Sequence, residues 1–265
     1  MKILLINPKP DCPSFFGDEV MEGTGIITAD NTSPTVAACI PTDIEVEICD
    51  ERVSPVNYAT DADWIGLTGR LSQHRNQVSI ARAFKAKGKK ILAGGSFAAR
   101  FSESIKPYCD VIVKGEIEDI APTLFNDLKN NSYQREYIGT RPRLVDAPVP
   151  RWDLYPIKKA LSGSVQTGRG CPFSCDFCDI VQFNGQEMRS KSIASVLREL
   201  DALYHTYNLR SVFLTDDNLV GNVSYAKELF TAIREWRQDK EEMTFIAQTP
   251  EYIAQNFELE SETFM

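Results

Sequence analysis

Apolar residues in the first 130 positions fall in short runs separated by helical or turn segments. Lys2–Ile6, Ile44–Cys49, Trp64–Thr68, Lys90–Ala93 and Val111–Val113 read as strands. Several end in small or glycine residues: Thr68-Gly69, Gly94-Gly95 and Gly115. Between the third and fourth, Ile80, Ala81 and Phe84 recur at helical spacing and Gly88 supplies the stop. A second helix is expected over Ile120–Leu128, with Pro122 tolerated in its first turn. Strands alternating with helices predict a doubly wound parallel sheet with helices on both faces. Ligands of such sheets sit beyond the carboxyl ends of the strands, where these glycines lie.

Arg141–Pro150 holds three prolines in ten residues and continues neither a helix nor a central strand. Trp152, Leu154 and Tyr155 follow as an anchoring segment closed by Pro156. The expected organisation is an α/β domain over 1–140, a proline-rich linker over 141–162 and a second domain over 163–265. The alternation resumes there: strands Ser164–Thr167, Ser211–Thr215 and Thr244–Ala247, and helices Ser195–Tyr204 and Tyr225–Trp236. Val196, Leu200 and Leu203 stripe the first helix, and Ala226, Leu229, Phe230 and Ile233 the second. Three such repeats cannot close a parallel barrel, and an uncovered strand edge favours self-association. The last eight residues, Glu258–Met265, have no apolar period. The sequence therefore suggests a truncated or frameshifted chain, or a fragment.

The 265 residues carry 29 Lys and Arg against 37 Asp and Glu, a formal charge of −8. With 43% hydrophobic and 25% charged residues, the composition is that of a globular protein. The acidic balance argues against a nucleic-acid partner, which selects a basic surface. No apolar run is long enough to span a bilayer, and the N-terminus lacks a signal-peptide core, so a cytoplasmic protein with reduced thiols is expected.

Seven cysteines are present, three of them packed into Cys171-Pro172-Phe173-Ser174-Cys175-Asp176-Phe177-Cys178. One loop can turn three thiols spaced four and three apart toward one point. Thiolates are soft ligands suited to zinc or to iron–sulfur clusters. Structural zinc takes four ligands and none follows nearby, His205 being 27 residues on. Three thiolates on a four-iron cluster leave one iron open. Cys12, Cys39, Cys49 and Cys109 read as buried or unreactive thiols.

The Cys-x3-Cys-x2-Cys loop after a barrel strand, with Phe177 before the third cysteine, resembles the radical S-adenosylmethionine (SAM) enzymes. The resemblance implies a partial (β/α) barrel and a 4Fe-4S cluster on Cys171, Cys175 and Cys178, whose open iron chelates SAM. Phe177 matches the aromatic position near the adenine. Asp216, Asp217 and Asn218 end the next strand on the same rim, where related enzymes place acidic groups toward the ammonium or ribose of SAM. An Asx cap on the following helix is the alternative role, chiefly for Asn218. Gln248 and Thr249 end the third strand on that rim and are weaker candidates. Arg169, before the cysteines, either offsets cluster charge or is solvated.

An α/β domain ahead of such a core is similar to the cobalamin-binding domain of one large subgroup. Thr68, Gly69, Gly94, Gly95, Ser96, Gly115 and Glu116 stand where that subgroup has its glycine loops, and Pro150-Arg151-Trp152-Asp153-Leu154 resembles its linker. The chain lacks the Asp-x-His-x-x-Gly loop that ligates cobalt in other cobalamin proteins; Asn7-Pro8-Lys9-Pro10 stands there instead. His74, after the third strand's glycine, reads as a surface or helix-start residue. Methylthiotransferases share the domain order, and Cys12, Cys39 and Cys109 superficially fit their second cluster, but their Gly-Cys-x-x-Asn opening is missing.

The resemblance implies a cobalamin-dependent methyltransferase acting on an unactivated carbon. An electron from the cluster cleaves SAM to a 5′-deoxyadenosyl radical, which takes a hydrogen atom from substrate before methyl transfer. It also implies an electron donor of flavodoxin or ferredoxin type and a small-molecule, lipid or peptide substrate. Two rivals remain: a cyclase or rearrangement enzyme without methyl transfer, and a truncated, catalytically incomplete cluster-binding protein.

Overall fold

A computed structural model describes residues 1–11, 20–21, 25–145, 147–240 and 243–247. Cys12, Gln248, Thr249 and the stretch 258–265 lie outside the described residues. The chain divides into two compact units, one of Met1–Pro142 with Pro150–Ala160 and one of Arg143–Val149 with Leu161–Met265. The proline-rich segment expected as a linker is thus shared between them.

The strands of unit 1 are β1 (Lys2–Asn7), the antiparallel pair β2 (Val20–Met21) and β3 (Gly25–Thr28), β4 (Glu45–Asp50), β5 (Trp64–Leu67), β6 (Lys90–Ala93), β7 (Val111–Lys114) and β8 (Glu136–Ile138). Its helices are α1 (Thr32–Cys39), α2 (His74–Ala86), α3 (Gly95–Arg100), α4 (Ser102–Ile105) and α5 (Ala121–Asn130). Six strands form one sheet in the order β4-β1-β5-β6-β7-β8, every pairing parallel. The five strands expected from the sequence are all present within a residue or so of their expected bounds. The sixth, β8, and helix α1 carry too few apolar residues to stand out in the pattern.

Successive residues of β1 point to opposite faces. Leu4 and Ile6 join Ile65, Leu67, Ile80, Phe84 and Ile91 in one core, while Ile3 and Leu5 join Trp64, Leu92, Val111, Leu124 and Phe125 in the other. The chain passes from β1 outward to β4 and then returns to place β5 on the other side of β1. That reversal opens a crevice at the carboxyl ends of β1 and β5, where ligands of doubly wound folds bind.

A buried ion pair closes the end of β4. Arg52 Nη2 donates to Asp50 Oδ2 at 2.6 Å, and Arg52 Nε donates to Asp50 Oδ1 at 3.0 Å. Tyr155, in the Pro150–Ala160 stretch, donates its hydroxyl to Asp50 Oδ2 at 2.6 Å and accepts from the Asp30 N–H at 3.0 Å. Burial pushes the Tyr155 hydroxyl far up, and the charge of Asp50 pushes it further. Tyr155 is therefore a permanent donor, and it ties the anchoring segment to the sheet.

Unit 2 holds β9 (Ala160–Val165), which starts at the last residue of unit 1, the ribbon β10 (Gly168–Arg169) with β11 (Arg189–Ser190), β12 (Ser211–Leu214) and β13 (Thr244–Ala247). Strand β12 runs parallel to both β9 and β13. The helices are α6 (Ile180–Asn184), α7 (Ile193–Asp201), continued by one wider turn over Ala202–Thr206, and α8 (Val223–Trp236). Ser192 Oγ accepts from the Ser195 N–H to cap α7, and Asn222 Oδ1 accepts from the Tyr225 N–H to cap α8. Val196, Leu200, Leu203, Ala226, Leu229, Phe230 and Ile233 are all buried, as their helical spacing requires. Among the described residues no helix is long and apolar enough to cross a membrane.

Candidate functional site

Two groups of residues concern function, one in each unit. In unit 1, Thr68-Gly69, Gly94-Gly95-Ser96 and Gly115-Glu116 follow β5, β6 and β7, so three adjacent strands deliver them to one edge of the sheet. The first two loops touch through glycine. Gly95 has φ +87°, and a Cβ there would stand 2.6 Å from Gly69 O and 2.8 Å from Gly69 N. Replacing Gly95 by alanine is expected to cost about 1–3 kcal/mol in unfolding free energy, through left-handed strain and loss of this approach. Chemical denaturation of the variant measures it, and an unchanged midpoint would show that the loops have slack.

Side chains missed by the sequence reading furnish this edge. Gln73 Nε2 donates to Asn7 Oδ1 at 2.9 Å, and Asn7 Nδ2 donates to Asp50 Oδ2 at 3.2 Å. Ser33 Oγ lies 3.5 Å from Thr68 Oγ1 across the crevice. Gln77 is fully buried and neither amide atom has a hydrogen-bond partner among the described residues. A Cβ on Gly69 would stand 2.9 Å from that amide. A glycine cradle beside an unsatisfied amide fits a ligand rich in hydrogen-bonding groups, such as the nucleotide tail and side-chain amides of a corrin. The only sequence signal for Gln77 is its polarity on the stripe with Ile80, Ala81 and Phe84. His74 begins α2, its Nδ1 2.9 Å from Leu71 O and 3.2 Å from Asp11 Oδ2.

In unit 2 the cysteine loop leaves the β10–β11 ribbon. Gly170 has φ +102°, and a Cβ there would collide with the Glu187 carbonyl, so only glycine turns the chain into the loop. The Cys171 N–H donates to Gly185 O at 3.1 Å and the Cys178 N–H to Cys175 O at 3.0 Å. Cys175 is exposed, with Cys171 and Cys178 half-buried. No three Cys, His, Asp or Glu side chains among the described residues are grouped as ligands of a single ion. A four-iron cluster makes a different demand, since each thiolate takes its own iron. Three thiols on an eight-residue loop, one exposed and two half-buried, would fit that donor set. Of the other described cysteines, Cys39 is half-buried, and burial pushes the Cys49 thiol up to about 11 and the Cys109 thiol up to about 12, so those two stay protonated at neutral pH. Phe177 is 92% exposed at the tip of the loop.

The residues after β12 stand in three different situations. Asp216 is buried, its Oδ2 accepting from the Thr167 N–H at 3.0 Å and its Oδ1 from Thr167 Oγ at 2.9 Å. It ties the end of β9 to the end of β12, ahead of the cysteine loop. Asp217 is half-buried and accepts from Asn184 Nδ2 at 2.6 Å. Burial pushes its carboxyl up against the opposing pull of that bond and of Arg169. Asn218 is 1% exposed and points its Nδ2 at Cys171 Sγ, 3.6 Å away. Thr215 Oγ1 and Asn218 Oδ1 are buried without partners among the described residues, an unsatisfied hydroxyl and an unsatisfied carbonyl oxygen after β12.

Burial pushes the Asp216 carboxyl up to about 6, against the Thr167 bonds that lower it. A carboxyl raised in the folded state binds its proton more tightly there than in the unfolded chain. Its contribution to stability is therefore largest below about 4, falls as pH rises toward 6 and is level above. The unfolding free energy of the chain minus that of Asp216→Asn is expected to drop across this window. A difference that is flat from pH 4 to 7 would contradict the raised value.

No family model matches the chain. A methyltransferase of Synechocystis sp. described as uncharacterized is 32% identical over 253 residues, covering 90% of this chain and 46% of the relative. The hopanoid C-2 methylase of Rhodopseudomonas palustris is 28% identical over 210 residues, 77% of this chain and 40% of that protein. Among solved structures, the radical SAM methyltransferase TsrM from Kitasatospora setae, with cobalamin and a 4Fe-4S cluster bound, superposes with a TM-score of 0.66 at 16% identity, over 92% of this chain and 55% of that one. The chain is similar over most of its length to these methyltransferases and shares its fold with a radical SAM methyltransferase that holds cobalamin and a 4Fe-4S cluster. It spans about half the length of the relatives it matches. The fold class is the one expected, a doubly wound parallel sheet, here of six strands, followed by a partial (β/α) barrel.

Proposed function

We propose that this chain is the cofactor-binding part of a cobalamin-dependent radical SAM methyltransferase that methylates an unactivated carbon of a small-molecule, lipid or peptide substrate. The observation that carries the reading is the loop on which Cys171, Cys175 and Cys178 stand accessible while Cys49 and Cys109 are locked in the core. When bound, the cluster supplies the electron that cleaves SAM, and cobalamin supplies the methyl group. The chain's own residues bind and orient. Cys171, Cys175 and Cys178 ligate the cluster, and Asp216 fixes the loop's departure by holding Thr167. Thr215 Oγ1 and Asn218 Oδ1 offer buried acceptors to the SAM ammonium or ribose, with Asp217 behind them and Phe177 free to close over the adenine. In unit 1, Thr68, Gly69, Gly94, Gly95, Ser96, Gly115 and Glu116 line the corrin side, joined by Gln73 and Gln77. The exposed loop supports an encounter with a flavodoxin- or ferredoxin-type donor, in the reducing setting of the cytoplasm.

The test is anaerobic reconstitution with iron and sulfide, followed by electron paramagnetic resonance of the reduced protein with and without SAM. A four-iron signal that changes shape on adding SAM supports the open iron, and the visible absorbance of hydroxocobalamin retained on desalting supports the corrin site. Failure to retain cobalamin would overturn the methyl-transfer reading while leaving the cluster.

A further inference from the structure

One buried side chain faces the cysteine loop from inside the fold. Asn218 is four residues past the end of β12, and its Nδ2 lies 3.6 Å from Cys171 Sγ. Its Oδ1 is buried with no partner among the described residues. The turn does not depend on that amide. Its hydrogen bond is made by the backbone, the Gly221 N–H donating to Asn218 O at 3.1 Å. The turn is also seated against the loop, because a Cβ on Gly221 would stand 2.8 Å from Met188 Sδ and 3.1 Å from Pro172 Cδ. The cap of α8 falls to Asn222, so the alternative of Asn218 as a helix cap is already filled.

We propose that Asn218 is a positioning residue that tunes the cluster: its amide N–H donates to the Cys171 sulfur and raises the cluster's reduction potential. The inference rests on reading the cysteine loop as a four-iron site. A ligating thiolate carries no hydrogen, so toward it the amide can only donate. One-electron reduction adds negative charge over irons and sulfurs, and a donor dipole aimed at a sulfur stabilises the reduced form more than the oxidised one. Hydrogen bonds to sulfur are among the levers that set cluster potentials. A donor shielded from water acts more strongly than an exposed one, because little solvent screens it.

The full chain, reconstituted anaerobically, is titrated with dithionite in the presence of mediators, the cluster gaining one electron as dithionite is oxidised. The reduced signal is followed by electron paramagnetic resonance. Asn218→Leu keeps the branched outline and removes the donor, at the cost of added volume; Asn218→Asp keeps the shape and replaces donor by charge. Both are expected to make the cluster about tenfold harder to reduce at fixed poise, a shift of about 59 mV to lower potential for one electron. Asn222→Ala, which uncaps α8 without touching sulfur, is expected to leave the midpoint unchanged. An unshifted midpoint in Asn218→Leu with full iron content overturns the proposal. So does loss of the cluster from both Asn218 variants while the unsubstituted chain retains it, since Asn218 would then build the loop rather than tune it. Absence of a cluster from the unsubstituted chain overturns the cluster reading itself.

Discussion

Replacing any one of Cys171, Cys175 and Cys178 by alanine is expected to lower bound iron from about four atoms per chain to background, with the fold intact. The reasoning joins ligand chemistry to burial. On the proposed reading three thiolates are all the protein gives the cluster, so each deletion would leave an iron with no protein ligand. The loop is largely exposed, so the same deletion removes little packing. Cys49→Ala and Cys109→Ala should behave in the opposite way. Their thiols are buried among Ile65, Phe84 and Ile112 in the core of the sheet, so iron content stays and stability falls. Iron and sulfide assays beside thermal melts of the five variants separate the two patterns. Full iron content in a Cys175→Ala chain would show that the iron is held elsewhere.

The second large effect concerns a buried ion pair behind the same loop. Lys191 Nζ pairs with Glu199 Oε1, both side chains being almost wholly enclosed. The pair stands under Thr167, whose carbonyl accepts from the Lys191 N–H at 2.8 Å and from the Tyr225 hydroxyl at 3.3 Å. Thr167 is also the residue gripped by Asp216. Lys191→Met leaves the Glu199 carboxylate buried, uncompensated, with Oε2 already lacking a partner among the described residues. A loss of about 3–5 kcal/mol is expected, while Lys191→Met with Glu199→Leu should recover most of it because no charge is then stranded. Burial already pushes Glu199 up against the pull of Lys191. Without Lys191 its folded-state proton is held more tightly still, so the single variant should be least impaired at low pH and lose stability as pH rises above the unfolded carboxylate value. Urea unfolding of the three variants and the unsubstituted chain at two pH values decides the matter. Additive losses would mean that the two side chains do not act as a pair.

Much of the fold was legible because local pattern and tertiary environment agree. The runs Lys2–Ile6 and Lys90–Ala93 are apolar throughout, or nearly so, because a parallel sheet covered by helices buries both faces of each strand. The stripe Ala226, Leu229, Phe230 and Ile233 is helical in spacing because α8 buries one side. Strand β8 was not legible: of its three residues only Tyr137 is buried, so no period exists to read. The cysteine trio was legible as one loop from spacing alone, since three thiols fall within eight residues.

The sequence by itself determined the alternation of strands and helices, the glycine loops and the cysteine trio, because each is written in the spacing of neighbouring residues. Only the tertiary structure separated Asp216, Asp217 and Asn218. Three consecutive polar residues look alike in a string, yet the turn after β12 sends the first inward to Thr167, the second to Asn184 and the third to Cys171. Likewise, Gln77 is a polar residue on an apolar stripe until the fold brings Gly69 against its amide. Contacts between residues far apart in the chain depend on strand order and crossover, and no local spacing encodes them.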